Sequence, residues 1–227
     1  MTSVERSVYK VVETFVSING EGAKSGSLAL FIRFQGCNLH CDYCDTEWAN
    51  RDDTPYTEWT DDEIIDLVRE SKVKNVTLTG GEPLIQKDID KLIDRLITET
   101  DCRIEIETNG TISIEKWDGY YNNLSFTLDY KLPGSGVPHF VHTKNYGYLS
   151  EEDTVKFVCS NEEDLDVARE VIEKYSLSEK CNVFLSPVFG KIEPSEIVDY
   201  MVKHRMNGVR LQLQLHKFIW DPEKRGV

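Results

Sequence analysis

The chain has 227 residues, 40% of them hydrophobic and 29% charged, a balance that supports a packed core and argues against general disorder. Its 26 basic residues stand against 40 acidic ones, a formal charge of −14, with no Lys/Arg cluster of the kind a phosphate backbone requires, so no nucleic-acid partner is expected. No run approaches the roughly 18 to 20 apolar residues that span a bilayer, and no apolar segment follows a basic start, so no membrane partner is expected and a cytoplasmic location is.

Segments Tyr9–Phe15 and Leu28–Phe34 read as strands, the second alternating Leu28, Leu30, Ile32 and Phe34 with smaller or polar residues. Asn19-Gly20-Glu21-Gly22 forms a glycine-rich turn between them. Past a cysteine loop, Thr60 and Glu63 make a capping box ahead of Ile64, Ile65, Leu67 and Val68, which predicts a helix from about Asp61 to Ser71. Strands and helices then take turns: strand Asn75–Thr79, helix Lys87–Glu99, strands Arg103–Glu107, Ser125–Asp129 and Thr154–Val158, helix Glu162–Tyr175, strand Asn182–Ser186, helix Pro194–Arg205 and strand Val209–Leu215.

This alternation predicts an α/β fold with a parallel sheet, helices outside, and functional loops at the carboxyl ends of the strands. About six parallel strands can be counted, fewer than the eight of a closed barrel, so a partial, open TIM-like barrel is expected, as one domain over 1–227. Loops Gly80–Pro83, Thr108–Gly110, Asp129–Gly136 and Ser186–Gly190 fall at strand ends. Gly134–Tyr148, rich in glycine and without helical periodicity, reads as a mobile flap.

Of six cysteines, Cys102, Cys159 and Cys181 are scattered singly through apparent strands, whereas Cys37, Cys41 and Cys44 crowd into one loop. Their C-x3-C-x2-C spacing can wrap three corners of a cubane iron–sulfur cluster and leave the fourth iron open for chemistry. A structural zinc site would need a fourth ligand, and the sequence offers no second C-x2-C pair. A ferredoxin-like electron carrier would normally add a fourth cysteine, and stays as the non-enzymatic alternative.

This loop, with Tyr43 before Cys44 and Thr79-Gly80-Gly81-Glu82-Pro83 at a strand end, resembles the radical S-adenosylmethionine superfamily. The resemblance implies a 4Fe–4S cluster on Cys37, Cys41 and Cys44, with S-adenosylmethionine chelated at the open iron and cleaved to methionine and a 5′-deoxyadenosyl radical. Gly80, Gly81 and Glu82 would then meet the cosubstrate's amino group through backbone and carboxylate.

The Asn-Gly-Glu-Gly turn, Phe31-Ile-Arg33-Phe-Gln-Gly-Cys37, Cys44-Asp45-Thr46, Glu107-Thr108-Asn109-Gly110 and Leu213-Gln-Leu-His216-Lys217 narrow the resemblance to the 7-carboxy-7-deazaguanine synthase family, from about Val12 to the C-terminus. That family converts 6-carboxy-5,6,7,8-tetrahydropterin to 7-carboxy-7-deazaguanine with loss of ammonia, a radical ring contraction in queuosine and deazapurine formation, classed as a lyase. Carried over residue by residue, Ile18, Asn19 and Gly20 would meet the pterin through backbone and amide groups, Glu21 would help fix the ring, and Arg33 would hold the substrate. Thr108, His216 and the carboxylate of Val227 would also face the substrate.

Thr46 would ligate magnesium. Tyr43, Asp45, Gly110, Asp129, Tyr130, Lys131 and Ser135, with Ser186, Pro187, Val188 and Phe189, would line the cosubstrate. A homodimer and an external donor such as flavodoxin or ferredoxin are implied. The sequence departs from the family in having Asn19 where Gln is frequent, and Lys131-Leu-Pro-Gly-Ser-Gly where a Ser-Pro-Lys form is known. A glycyl-radical activating protein shares the cluster loop and small size, and is the alternative enzyme.

Overall fold

The computed structural model describes residues 6–119, 122–137, 142–222 and 224–227. Its strands are β1 (Val8–Ile18), β2 (Leu28–Phe34), β3 (Thr57–Thr60), β4 (Asn75–Gly80), β5 (Arg103–Thr108), β6 (Leu124–Tyr130), β7 (Thr154–Cys159), β8 (Asn182–Pro187) and β9 (Val209–Leu211). They form one sheet in the order β3-β1-β2-β4-β5-β6-β7-β8-β9. β1 is antiparallel to both β2 and β3, and every pairing from β2 through β4 to β9 is parallel. The fold is therefore the expected partial barrel, with slightly more parallel strands than the sequence count.

Four longer helices cover the outside: α2 (Asp61–Ser71), α3 (Ile89–Glu99), α4 (Glu162–Tyr175) and α5 (Pro194–His204). α2 starts where its capping box requires, with Glu63 N–H donating to Thr60 Oγ1 (3.3 Å) and Thr60 N–H to Glu63 Oε2 (2.7 Å), an arrangement that stabilises a helix by about 1 kcal/mol. Ile64, Ile65 and Val68 of α2 and Leu92, Ile93 and Leu96 of α3 are fully buried with Val76, Leu78, Ile104 and Ile106 of the sheet.

The other face of these strands is different in kind. A central parallel strand is usually apolar on both faces. Here β4 alternates Val76 and Leu78 with Thr77 and Thr79, β5 alternates Ile104 and Ile106 with Glu105 and Glu107, and β6 alternates Leu124, Phe126 and Leu128 with Ser125, Thr127 and Asp129. Side chains alternate across a strand, so one set packs under the helices and the other makes a polar lumen.

Several sequence expectations are corrected. β1 runs longer than Tyr9–Phe15, and β3 and two short helices, α1 (Glu47–Asn50) and α6 (His216–Ile219), were not foreseen. The expected strand Val209–Leu215 stops at Leu211, where Gln212 N–H reaches Leu185 O and the chain turns away from β8. His216 therefore opens a helical turn and is not a strand residue. α3 starts at Ile89, because Asp88 sits in the left-handed region at φ 60°. The expected flap is anchored at both described ends, with Ser135 and Asn145 at 0% exposure and Tyr146 at 2%; residues 138–141 lie outside the described residues.

One side of the partial barrel is spanned without strand pairing. Gly22 N–H donates to Gln212 Oε1 (2.8 Å), Gln212 Nε2 donates to Gly22 O (3.0 Å), and Leu215 N–H donates to Gly20 O (3.1 Å). The segment after β9 thus clasps the β1–β2 turn and walls the lumen. Among the described residues, no helix is long and apolar enough to cross a membrane.

Candidate active site

Cys37, Cys41 and Cys44 all lie half-buried on the loop that follows β2. Among the described residues no three His, Cys, Asp or Glu side chains close on a single ion. Two of the loop's thiols meet N–H donors suited to sulfur that carries negative charge: Leu39 N–H lies 3.4 Å from Cys37 Sγ, Asn109 Nδ2 3.7 Å from the same sulfur, and Asn50 Nδ2 3.7 Å from Cys44 Sγ. Hydrogen bonds to ligand sulfurs are one means by which a protein tunes an iron–sulfur cluster, and this donor set fits one. Burial raises the Cys37 thiol above its ordinary value and pushes Cys41 up to about 11, so cluster assembly has to displace protons from these thiols.

The loop is held from below by the strand-end glycines. Gly80 has φ 141°, and Gly81 N–H donates to Phe34 O (3.4 Å) while Glu82 N–H donates to Gly36 O (2.9 Å). A Cβ on Gly81 would collide with Gly36 O and Asn50 Oδ1 and come within 2.6 Å of Cys37 Cβ, so glycine here is a requirement of the approach between the two loops. Ser135 O accepts from Asp42 N–H (2.9 Å), which joins the loop after β6 to the cysteine loop.

Glu82 departs from the expected role. Its carboxylate is 0% exposed and accepts from Leu84 N–H (3.0 Å), Thr108 Oγ1 (2.9 Å) and Asn109 N–H (2.7 Å). Burial raises its pKa against the pull of those three donors. Its carboxylate joins the ends of β4 and β5, and its backbone N–H is held by Gly36 O. Thr108 is likewise engaged, its hydroxyl also accepting from Gly110 N–H (3.2 Å), and it is 3% exposed.

Asn19 also turns inward. Its Nδ2 donates to Glu105 Oε2 (3.2 Å), its Oδ1 accepts from Thr77 Oγ1 (3.1 Å), and its backbone N–H and C=O pair with Ser27 and Gly26. The amide expected at the substrate instead braces the turn that carries Gly20 and Glu21. Ser135 is buried, with its hydroxyl on Leu132 O (2.6 Å), and the Tyr130 ring packs on Phe157 with centroids 5.3 Å apart, so neither side chain opens on the cosubstrate loops.

The remaining expected residues do converge. Arg33 on β2 spends its Nε on Glu13 Oε1 (2.8 Å), and its side chain is 14% exposed. Glu21 Oε2 accepts from Lys156 Nζ (2.9 Å), Asp129 Oδ2 from Lys131 Nζ (2.9 Å), and Lys156 Nζ also lies 3.6 Å from Asp129 Oδ2. The second oxygens of both carboxylates, Glu21 Oε1 and Asp129 Oδ1, are buried with no partner among the described residues, as is Ser186 Oγ. Buried polar atoms are nearly always satisfied, so each of these three has hydrogen-bonding capacity to spare.

His216 borders Gly20, where a Cβ would sit 2.7 Å from its Nδ1. Burial lowers its pKa, against Glu21 and Asp45, so the imidazole is neutral at neutral pH. Thr46 precedes α1 without a side-chain cap bond, and its hydroxyl meets Cys44 Sγ at 3.6 Å. The tail returns to this region, with the Arg225 guanidinium 4.2 Å from the Trp48 ring centroid. Pro187 ends β8 paired with Cys159 of β7 and Val188 after it is buried, but Phe189 is 54% exposed, its ring under Lys217 Nζ at 5.4 Å.

Residues 31–129 match the model of the radical SAM superfamily. The chain is 53% identical to 7-carboxy-7-deazaguanine synthase of Clostridium acetobutylicum, over 96% of this chain and 99% of that one. It is 35% identical to the protein of the same name from Chlorobaculum tepidum, over 96% of each. The chain belongs to the 7-carboxy-7-deazaguanine synthase family. The crystal structure of QueE from Escherichia coli superposes with a TM-score of 0.70 at 21% identity, covering 91% of this chain and 94% of that one, and so shares the fold. Membership of this radical SAM family implies S-adenosylmethionine and an iron–sulfur cluster as cofactors.

Sequence reasoning missed part of the site. Lys156, Glu105 and Gln212 were not foreseen, nor was Glu107, whose Oε2 accepts from Thr79 Oγ1 (2.7 Å). A signal was available for three of them, in the charged residues recurring at every second position of β5 and the lone Lys156 in the otherwise buried Thr154–Cys159 strand. Gln212 has no such signal, because its partner lies 190 residues away.

Proposed function

We propose that this chain converts 6-carboxy-5,6,7,8-tetrahydropterin to 7-carboxy-7-deazaguanine with loss of ammonia, as its family membership indicates, within one domain spanning 1–227. The observation that carries the reading is the polar lumen beneath the three-cysteine loop, where Arg33, Glu21 and neutral His216 line the turn side and two buried carboxylate oxygens await donors. A carboxylated, donor-rich heterocycle has the matching chemistry, since a guanidinium suits its carboxylate and Glu21 Oε1 suits a ring N–H.

Bound to Cys37, Cys41 and Cys44, a 4Fe–4S cluster with S-adenosylmethionine supplies the 5′-deoxyadenosyl radical that starts the rearrangement. Around it, the backbone of Gly80 to Glu82 and Gly110 would receive the methionyl end, Tyr43, Asp129 and Lys131 would flank the cosubstrate, and Ser186 to Phe189 would close its far side. Tyr43 is fixed for this by its hydroxyl on Val158 O (3.3 Å). Thr46, uncommitted to its helix, would give a hydroxyl to magnesium, a hard ion suited to oxygen ligands and to a substrate carboxylate. Val227 would bring its carboxylate to the same side, since Arg225 already rests on Trp48. A flavodoxin or ferredoxin would supply the electron, and a homodimer would cover the exposed edge strand β3.

The test is an anaerobic incubation of reconstituted, reduced protein with the pterin, S-adenosylmethionine and magnesium, read by mass spectrometry. 7-carboxy-7-deazaguanine and ammonia are expected in equal amounts. Cleavage to 5′-deoxyadenosine without either product would instead favour the glycyl-radical activating reading.

A further inference from the structure

Lys156 stands at the centre of β7, between Asp129 of β6 and Phe184 of β8, with Val155 and Phe157 beside it buried on the opposite face. Its side chain is 13% exposed, and its ammonium reaches two carboxylates on separate parts of the site: Glu21 Oε2 on the β1–β2 turn at 2.9 Å and Asp129 Oδ2 at the end of β6 at 3.6 Å. In each case one oxygen meets the ammonium and the other is buried with no partner among the described residues. The same charge therefore orients both unsatisfied oxygens.

We propose that Lys156 is a positioning residue shared by the two ligand sites, holding Glu21 toward the pterin and Asp129 toward S-adenosylmethionine. The proposal rests on the functional reading above for the identity of the two ligands. Two carboxylates this close repel each other and swing apart without a cation between them. Lys131 meets the same Asp129 Oδ2 at 2.9 Å without reaching Glu21, so among the described residues Lys156 is the ammonium that links the two carboxylates. Its own charge is secure, because although burial by itself would lower an ammonium's pKa, Glu21, Asp129 and Glu107 hold it well above the ordinary lysine value. With the bridge in place, Glu21 Oε1 accepts a ring N–H of the heterocycle, and Asp129 Oδ1 accepts an O–H or N–H of the cosubstrate.

The test is separate titration of each ligand by calorimetry into the cluster-loaded protein, with thermal melts alongside. Lys156→Gln is expected to weaken both the pterin and S-adenosylmethionine by roughly ten- to a hundredfold, the scale of one buried charge-assisted contact per ligand. Arg33→Gln is expected to weaken the pterin alone. In a Glu21→Gln background, adding Lys156→Gln is expected to leave pterin affinity where the single change put it and still to weaken S-adenosylmethionine, a pattern that a direct contact or a general loss of stability does not produce.

Unchanged affinities in a folded Lys156→Gln protein, or a further full loss of pterin binding in the Glu21→Gln background, would overturn the proposal. Should Lys156→Gln not fold, Lys156→Arg carries the test, with a smaller loss expected for both ligands and a loss confined to one counting against it. Absence of any pterin binding by the unaltered protein would count against the functional reading, while the S-adenosylmethionine arm would still decide whether Lys156 acts through Asp129.

Discussion

Much of this site is organised by side chains bonded wholly to other protein groups. Glu105 shows how: it is 6% exposed, accepts from Thr127 Oγ1 (2.8 Å) and Asn19 Nδ2 (3.2 Å), and so fixes the turn that presents Glu21. Burial raises its pKa, against the opposing pull of Lys24, the Thr127 hydrogen bond and Lys156. A carboxyl whose folded pKa lies above its unfolded one contributes stability that is complete below the unfolded value, about 4.3 for Glu, and is lost as pH rises through the folded value. Glu105→Gln removes that dependence and keeps the shape, since the Asn19 amide can reverse and still meet Thr77. The melting temperature of Glu105→Gln relative to the unaltered protein is therefore expected to rise between about pH 5 and pH 8, above the ordinary carboxylate range. A difference constant across that window would show that Glu105 does not titrate on folding.

At the scale of elements, the lumen depends on a clasp as much as on the sheet. Gln212 makes two hydrogen bonds to the backbone of Gly22, and Leu215 makes one to Gly20. Gln212→Leu would strand a buried N–H and a buried C=O, an expected loss of about 2 to 4 kcal/mol in urea unfolding, with a raised KM for the pterin because the turn loses its brace. A loss below about 0.5 kcal/mol would mean that water or the neighbouring backbone replaces the bonds.

The clasp also marks how far the sequence could be read. β2, β4 and the helix from Asp61 are legible from local pattern alone, because apolar periodicity and a capping box report on their own neighbourhood. The segment after Leu211 is not, since Leu213 and Leu215 continue the alternation of a strand while long-range bonds to the β1–β2 turn pull the chain out of the sheet. The site follows the same rule. The cysteine loop and the Gly80-Gly81-Glu82-Pro83 turn are contiguous motifs, whereas the inward turn of Asn19, the engagement of Glu82 and the Lys156 bridge depend on partners from other strands.

For the whole molecule, a sheet with one apolar and one charged face is poorly suited to stability alone, since each buried charge loses hydration that its partners only partly restore. Glu105, Glu107, Asp129 and Glu21 share the lumen with Lys156 and Lys131, and the arrangement makes sense as a cradle for a polar ligand beneath the cluster loop. If the chain performs its family's ring contraction, S-adenosylmethionine is regenerated at each turnover and not consumed. The decisive measurement is the amount of 7-carboxy-7-deazaguanine formed per S-adenosylmethionine lost in an anaerobic, reduced reaction, with Cys41→Ala as the control. Many product molecules are expected for each cosubstrate lost, and none in the control. 5′-deoxyadenosine accumulating without deazaguanine, from a protein whose cluster is intact, would contradict the ring contraction.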